Sequence, residues 1–258
     1  MLATLAMLLS LSGAVGGPPV AQGDGGEVDV ELLLAVDVSR SMDFEEVRIQ
    51  REGYVAAIRH PDFINAVRDG LLGRIAISYF EWAGVVDPAS RIDWTVIETP
   101  EDARAFAELL QERPIITSRR TSISAAIEEG TATLLSNQYA GMRRVIDVSG
   151  DGANNVGLPV ALVRDRAVEA GVVINGLAIM LRPSTAVPLD EYYADCVIGG
   201  PGSFVLPVHR IEDFTAAIRR KLVLEISNRA PQPAPVRIND QQTDCLIGER
   251  QWQNLFDR

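Results

Sequence analysis

The chain has 258 residues and a formal net charge of −11, and 47% of its residues are hydrophobic. This length is enough for one α/β domain of about 200 residues with a full hydrophobic core and short terminal extensions. The negative charge argues against nucleic acid as a partner, because phosphates would be repelled and no Lys/Arg cluster overcomes that repulsion. The densest basic run, Arg219-Arg220-Lys221, fits the solvated face of a helix.

The first 21 residues are predicted to be a signal peptide. Residues 2–11 form an apolar core, and Ser12-Gly13-Ala14 or Pro19-Val20-Ala21 offers the small residues that a signal peptidase needs. The apolar run is interrupted before it reaches the about 20 residues of a membrane span, so cleavage is favoured over an uncleaved anchor. We therefore expect a periplasmic or secreted protein with no stable membrane span after cleavage, and residues 22–27 as a short leader.

After the leader, apolar strand-like runs alternate with amphipathic helical patterns. The predicted strands are 28–36, 74–82, 93–97, 144–148, 172–180 and 203–208, and the predicted helices are 44–58, 61–69, 100–111, 122–135, 159–170, 189–196 and 211–226. Such alternation indicates a mostly parallel sheet that is covered by helices on both faces. We expect one Rossmann-like, doubly wound α/β domain over residues 28–228, with 93–97 as a short edge strand.

Hydroxyl and carboxylate side chains occur where the predicted elements meet. Asp37, Ser39 and Ser41 follow the first strand at alternate positions. Thr121 lies where a polar loop meets a helix, and Asp151 follows the fourth strand. In open α/β sheets, ligands bind outside the carboxyl ends of the strands, and oxygen ligands suit Mg²⁺, Mn²⁺ or Ca²⁺ better than zinc or copper. The pattern predicts a divalent-cation site, although each segment alone is also typical of loops and helix caps.

With these three segments the chain resembles the von Willebrand factor type A (VWA) domain and its metal-ion-dependent adhesion site. That site has an Asp-x-Ser-x-Ser motif, then a distant Thr and a distant Asp, and this order is matched by Asp37, Ser39, Ser41, Thr121 and Asp151. The resemblance covers residues 28–226. Three shorter segments, 148–152, 174–179 and 195–202, are similar to an uncharacterised bacterial branch of the same superfamily.

The resemblance implies a VWA-like fold and one bound divalent cation, with Mg²⁺ as the first expectation and Mn²⁺ or Ca²⁺ as alternatives. It also implies that a vacant coordination position takes an Asp or Glu side chain from a protein partner. The chain would then be an exported protein-binding domain and not an enzyme. One departure concerns the third element of the motif, which usually reads Thr-Asp-Gly. Here Gly150 precedes Asp151, so a supporting hydroxyl is missing or is supplied by Ser149.

Other polar residues near these segments are open to two interpretations. Asp147 lies in the middle of an apolar strand, where it either supports Asp151 from beneath or forms a structural hydrogen-bonded pair. Asn154 and Asn155 either line the rim of the site or simply form the loop that follows Asp-Gly. Arg40, inside the first loop, is expected to be exposed and to favour an acidic partner.

Cys196 and Cys245 are the two cysteines of the chain. In an oxidising compartment such a pair commonly forms a disulfide, which would attach the C-terminal tail to the domain. Two buried thiols are the alternative. The tail, residues 229–258, begins with a Pro-rich stretch that is typical of a stiff, extended linker.

Two other classes of function compete with partner binding. A Mg²⁺-dependent hydrolase with Asp37 as its nucleophile would need a second Asp two residues later, where this chain has Ser39. A serine hydrolase would need Gly-x-Ser-x-Gly, which the sequence around Ser149 lacks, and no P-loop occurs. The main alternative is therefore a structural periplasmic module, in which the metal site is vestigial or only stabilises the fold.

Overall fold

The computed structural model describes residues 25–182, 187–227 and 243–256. The predicted signal peptide and most of the predicted linker lie outside the described residues. The strands are β1 (Glu27–Asp37), β2 (Ile75–Trp82), β3 (Val86–Ile97), β4 (Ala140–Gly150), β5 (Val172–Ile179) and β6 (Val205–Val208). The α-helices are α1 (Phe44–Ile58), α2 (Pro61–Arg68), α3 (Pro100–Glu112), α4 (Ile123–Ser136), α5 (Val160–Glu169), α6 (Leu189–Tyr192), α7 (Phe214–Ser227) and α8 (Ile247–Phe256). A π-helix, Tyr193–Val197, continues α6, and a 3₁₀-helix, Ile211–Asp213, precedes α7.

The six strands form one sheet in the order β3-β2-β1-β4-β5-β6. All neighbouring strands are parallel except β2 and β3, so the predicted mostly parallel, doubly wound sheet is confirmed. The chain runs from β1 outward to β2 and β3, and then returns to the other side of β1 with β4. The order of the strands therefore reverses between β1 and β4, and the loops after these two strands diverge and leave a crevice.

The edge strand β3 has 12 residues and is much longer than the predicted 93–97. It is antiparallel to β2 and is joined to it by the short turn 83–85. Its first half contains Pro88, which has no N–H to donate, and the pairing with β2 is irregular near Tyr79. The location at the edge was predicted correctly, but the proline and the mixed polarity conceal the length of the strand.

Side-chain caps determine where two of the helices begin. Before α1, Asp43 accepts from the N–H of Glu46 at 2.9 Å, and Glu46 accepts from the N–H of Asp43 at 2.8 Å. Thr99 and Asp102 form the same reciprocal capping box before α3. Because α1 starts directly after its N-cap Asp43 and β1 ends at Asp37, residues 38–42 form a short loop between β1 and α1.

Helices cover both faces of the sheet, as the alternating pattern predicts. One face packs against α1, α2, α3 and α7, and its largest fully buried side chains are those of Tyr54, Tyr79, Phe63, Phe106 and Phe214. The other face packs against α4, α5, α6 and the π-helix, and its largest side chains are those of Phe80, Trp82, Tyr192 and Tyr193. Burial on both faces explains why β1 is an almost continuous apolar run.

Two features near the C-terminus differ from the sequence prediction. Lys221, predicted on a solvated helix face, is fully buried, and its Nζ lies 2.5 Å from Asp147 Oδ1 and 2.6 Å from Glu225 Oε1. These two carboxylates compensate the buried charge, which the helical pattern alone does not reveal. The second difference is α8, which lies in the tail that was predicted to be only a linker and extension.

The structure joins Cys196 and Cys245 by a disulfide, with 5.5 Å between their Cα atoms. This bond attaches the segment before α8 to the π-helix. Within the described ranges, no helix is both long and apolar enough to cross a membrane.

Candidate metal centre

The loops that follow β1 and β4 bring four of the predicted ligands into one cluster. Ser39 Oγ lies 2.7 Å from Ser41 Oγ, and Ser41 Oγ donates to Asp151 Oδ1 at 2.5 Å. Asp37 Oδ1 accepts from the backbone N–H of Ser39 at 2.7 Å. The cluster forms because β1 and β4 are adjacent and parallel, with Val36 paired to Ser149, so both strands end at the same edge.

Asp37 is the buried centre of this cluster. Its side chain is fully buried, and its Oδ2 has no hydrogen-bond partner among the described residues. Burial, together with the negative charge of Asp151, raises the pKa of Asp37 to about 8. Burial also raises the pKa of Asp151 to about 6, although the hydrogen bond from Ser41 opposes this rise. Without a cation, the deprotonated form of Asp37 beside Asp151 is therefore unfavourable at neutral pH.

Thr121 is carried by a loop that is hydrogen-bonded to the other two. Ser118 N donates to Val38 O at 3.2 Å, and Arg40 N donates to Ser118 O at 2.9 Å. Asn155 Oδ1 accepts from Thr121 N at 2.9 Å, while Asn155 N donates to Thr121 O at 2.8 Å. Thr121 is thus fixed beside both carboxylate loops. Sequence reasoning missed this role of Asn155, for which the Asn-Asn pair after Asp151-Gly152 was the available signal.

The backbone around Thr121 also brings its side chain towards the Asp151 loop. Arg120 has a φ of 70°, in the left-handed region that non-glycine residues seldom adopt, and this conformation turns the chain just before Thr121. A Cβ added to Gly152 would lie 3.9 Å from Thr121 Oγ1. The hydroxyl therefore lies against the loop that carries Asp151, at the edge of the cluster.

Asp147 and Ser149 were predicted to support the site, but both point to the face of the sheet that packs against α7. Asp147 forms an ion pair with Lys221 of α7 and does not reach Asp151, so the structural interpretation of Asp147 is the correct one. Ser149 shares the face of Asp147 because alternate strand residues point the same way, and its buried hydroxyl has no hydrogen-bond partner among the described residues. Ser149 therefore does not supply the hydroxyl that position 150 lacks.

Asn154 does not line a rim, because it is fully buried. Its Oδ1 accepts from Ser124 N at 3.0 Å, and its Nδ2 donates to Leu158 O at 3.2 Å and to Glu249 Oε1 at 2.7 Å. One amide thus connects the start of α4, the loop after β4 and helix α8. Loop bracing, the alternative interpretation of Asn154, is what the contacts support.

Helix α8 lies next to the loops of the candidate site. Besides the contact of Glu249 with Asn154, the guanidinium of Arg120 lies 5.4 Å from the ring centroid of Trp252. A Cβ added to Gly248 would meet Asn154 O at 2.1 Å, so the helix approaches this loop too closely for any side chain at that position. The tail is therefore packed against the domain beside Thr121 and Asp151.

Exposed arginines surround the cluster, although the chain is acidic overall. Arg40 is exposed, as predicted, and Arg119, Arg120 and Arg182 are exposed as well. Arg182 donates to Ser41 O and, at 2.6 Å, to Glu46 Oε2, so its charge is partly compensated. The loops around the cluster thus carry exposed positive charge at Arg40, Arg119 and Arg120.

The residues present fit a divalent cation. Their donor set consists of carboxylate and hydroxyl oxygens, which hard cations prefer, and Asp37 Oδ2 is a buried acceptor that lacks a donor. In the part of the chain that the structure describes, no three His, Cys, Asp or Glu side chains cluster as a metal site. An ion here would therefore depend on the hydroxyls of Ser39, Ser41 and Thr121 as well as on the two carboxylates.

The sheet order, the flanking helices and the three loops at one edge define a VWA-like domain, as the von Willebrand factor type A protein from Catenulispora acidiphila illustrates. That structure has a TM-score of 0.55 and 11% identity, over 78% of this chain and 43% of the other. Within this class, the chain belongs to the family described as "Protein of unknown function (DUF1194)", whose model matches residues 27–230. No curated protein matches the chain.

Two further solved structures share the fold. Proximal thread matrix protein 1 from the mussel byssus has a TM-score of 0.58 and 14% identity, over 80% of this chain and 49% of the other. It is also known with zinc in its metal-ion-dependent adhesion site. The pilus adhesin SpaC from Lactobacillus rhamnosus GG has a TM-score of 0.57 and 12% identity, over 78% of this chain and 31% of the other. This chain covers less than half of each structure, and at such identities the likeness shows the fold alone.

Proposed function

We propose that this protein is an exported, divalent-metal-dependent protein-binding domain, with the ion held by Asp37, Ser39, Ser41, Thr121 and Asp151. The observation that carries the proposal is the buried, unpaired Oδ2 of Asp37 next to a chain of hydroxyls that ends at Asp151. A divalent cation would neutralise the two carboxylates and would give Asp37 Oδ2 the partner that it lacks among the described residues. Mg²⁺ is the proposed ion, with Mn²⁺ or Ca²⁺ as alternatives.

The partner is proposed to be a protein that presents an Asp or Glu side chain. The hydroxyl ligands carry no charge and the proposed residues would not fill all the coordination positions of the ion, so one position would remain open to a carboxylate oxygen from outside. The exposed Arg40 and Arg119 support this choice, because they would attract an acidic surface and repel a basic one. The chain as a whole carries a charge of −11, so these exposed arginines beside the site differ in sign from the molecule as a whole.

Export to the periplasm or outside the cell is part of the proposal. The disulfide between Cys196 and Cys245 supports it, since such bonds persist in oxidising compartments. The predicted signal peptide at residues 1–21 supplies the route. The adhesin and the matrix protein among the structural neighbours are consistent with a non-catalytic role in binding.

Ion binding is tested by calorimetric titration of the metal-free full chain with Mg²⁺, Mn²⁺, Ca²⁺ and Zn²⁺. We expect saturable binding at one site that is lost in Asp37→Ala, while circular dichroism shows an intact fold. Asp93→Asn is the matched control, because Asp93 is an exposed carboxylate on the distant edge strand β3. Equal binding by the wild type and Asp37→Ala, or no binding by either, would refute the site and leave the structural module as the better account.

The chemistry of the partner is tested by selecting random peptides on the immobilised protein in Mg²⁺ and eluting them with a chelator. We expect the eluted peptides to be enriched in Asp or Glu at one position. A parallel selection on Asp37→Ala should show no such enrichment. The same acidic peptides recovered from both proteins would mean that the arginines, and not the ion, select them.

A further inference from the structure

The space beside Gly150 is occupied by a hydroxyl from another part of the chain. A Cβ added to Gly150 would meet Tyr193 Oη at 2.6 Å and Asp37 Oδ2 at 2.9 Å. The phenol oxygen and the unpaired carboxylate oxygen are therefore both next to the position that a side chain at residue 150 would occupy. In the motif that the chain resembles, residue 150 would be a threonine with its own hydroxyl.

The fold provides a specific place for Tyr193. Its ring lies over β4 and β5, where a Cβ added to Gly176 would meet Tyr193 Cδ1 at 2.7 Å. Glycines at both 150 and 176 are thus needed to admit the ring. Tyr193 begins the π-helix Tyr193–Val197, a rare element that often occurs at functional sites. Cys196 in the same helix forms the disulfide with Cys245, which fixes this segment to the segment before α8.

The hydroxyl of Tyr193 is buried and has no hydrogen-bond partner among the described residues, and the same holds for Asp37 Oδ2. Buried tyrosine hydroxyls usually have a partner, because an unpaired one costs free energy. A carboxylate can only accept hydrogen bonds, whereas a neutral phenol can donate one, so the pairing that is available to these two groups is donation from Tyr193 Oη to Asp37 Oδ2.

We propose that Tyr193 is a positioning residue of the metal site, which replaces the hydroxyl missing at position 150 and donates to Asp37 Oδ2 when the ion is bound. This inference rests on the proposed function. Tyr193 does not bind the ion itself, but it would hold the carboxylate in the orientation that the ion requires. Residues that orient metal ligands in this way typically contribute about 10- to 100-fold to metal affinity.

The test compares Tyr193→Phe with the wild type by calorimetric titration of the full chain with Mn²⁺. We expect affinity to fall about 10- to 100-fold, with no loss of thermal stability in the chelator-treated protein, because the variant removes an unpaired buried hydroxyl. Tyr139→Phe is the matched control. Tyr139 is buried just before the start of β4, at the opposite end of the strand from Asp151, and its hydroxyl accepts from Gln138 Nε2 at 3.4 Å, so this variant should keep its Mn²⁺ affinity.

A rescue variant separates positioning from general packing. In Tyr193→Phe the phenol oxygen is absent, which removes the shortest contact of a Cβ at residue 150. That Cβ would still lie 2.9 Å from Asp37 Oδ2, so the carboxylate must shift slightly to admit Gly150→Ser. We expect the double variant to regain part of the affinity that Tyr193→Phe loses, whereas Gly150→Ser alone should be destabilised by its contacts with both Tyr193 Oη and Asp37 Oδ2.

The outcomes for Tyr193 and for the metal site can be distinguished. Unchanged Mn²⁺ binding by Tyr193→Phe beside a wild type that binds would overturn the role of Tyr193 and leave the metal site intact. Absence of binding by the wild type would overturn the metal site and, with it, the role of Tyr193.

Discussion

Strand β1 carries two fully buried carboxylates, Glu31 and Asp37, and their surroundings differ completely. Near the start of the strand, Glu31 accepts from Asn137 Nδ2 at 2.6 Å and from Gly141 N at 2.7 Å, with Arg144 Nε at 3.4 Å. At the end of the strand, Asp37 accepts from Ser39 N, while its other oxygen has no partner in the described residues.

The difference distinguishes a carboxylate that stabilises the fold from one that is available to bind a cation. Glu31 has a cation and two N–H donors, so its burial is compensated within the chain. Asp37 faces a second carboxylate and a set of hydroxyls, so its charge is left for something from outside. Burial alone does not identify a functional carboxylate. A buried carboxylate that has no positive partner and lies at the carboxyl end of a parallel strand is the better indicator.

The largest expected effect is on ion binding when Asp37 is changed to Asn. We expect Mg²⁺ affinity to fall at least about 100-fold, because the variant removes the charge of a proposed ligand. The free energy of unfolding of the metal-free protein should stay the same or rise, since the repulsion from Asp151 is relieved. Urea denaturation in chelator checks this point, and a marked loss of stability would give Asp37 the structural role assigned here to Glu31.

The reciprocal change, Glu31→Gln, should act on stability and not on binding. It removes the charge that faces Arg144 and turns an amide N–H towards the donors of Asn137 or Gly141. We expect unfolding to become easier by about 2–4 kcal/mol, measured by urea denaturation, with Mg²⁺ affinity unchanged. A loss of affinity in a variant that remains folded would contradict the division of roles between the two residues.

The pH dependence of metal-free stability should follow from the raised pKa of Asp37. Its pKa rises from 3.8 to about 8 on folding, so the stabilising contribution of the bound proton is complete below about pH 4 and is lost as the pH rises towards 8. Asp151 acts in the same direction up to about pH 6. In chelator, the wild type should therefore lose stability over this range more steeply than Asp37→Asn.

Saturating Mg²⁺ should oppose this trend, because the ion binds the deprotonated carboxylates and its affinity rises with pH. Thermal melts of both proteins from pH 4 to pH 8, with chelator and with Mg²⁺, measure the two slopes. Parallel curves for the wild type and Asp37→Asn in chelator would show that Asp37 does not retain a proton in the folded state.

The smallest effect is expected from Asn155→Ala, which removes the acceptor of Thr121 N but leaves every proposed ligand in place. We expect Mg²⁺ affinity to fall about 10-fold, because the Thr121 loop loses one of the contacts that fix it. Titration calorimetry measures the change, and Asn65→Ala on the distant helix α2 is a suitable control. An unchanged affinity would mean that the contacts through Ser118 are enough to hold the loop.

Much of the fold follows from local sequence signals. The predicted helix 44–58 coincides with α1, and the bounds of β1, β2 and β5 agree with the predicted strands to within one residue at either end. These elements could be predicted because apolar periodicity and capping residues act over a few positions. The five proposed ligands stand at junctions between elements, so their loops could be located once a parallel sheet was predicted.

The supporting contacts could not be predicted, because they join residues that are far apart in the chain. The pairing of Asp147 with Lys221 depends on which face of α7 meets the sheet, and the pattern of α7 did not reveal it. Tyr193 approaches Gly150 only through the packing of the π-helix, and Glu249 reaches Asn154 only because the disulfide holds α8 nearby. The sequence suggests a metal site, whereas only the structure shows that Asp37 Oδ2 has no hydrogen-bond partner among the described residues.

The direction of β1 also determines how the molecule would present itself to a partner. Glu27 is paired with Ala140 at the start of β4, and α7 ends where Arg143, close to that same point, donates to the carbonyls of Glu225 and Ile226. Asp37 lies at the other end of β1, about 33 Å away at roughly 3.3 Å per residue. A tether or an immobilised tag joined before residue 25 would therefore hold the domain at the end opposite Asp37, with the loops that carry Ser41 and Asp151 facing away from the attachment point.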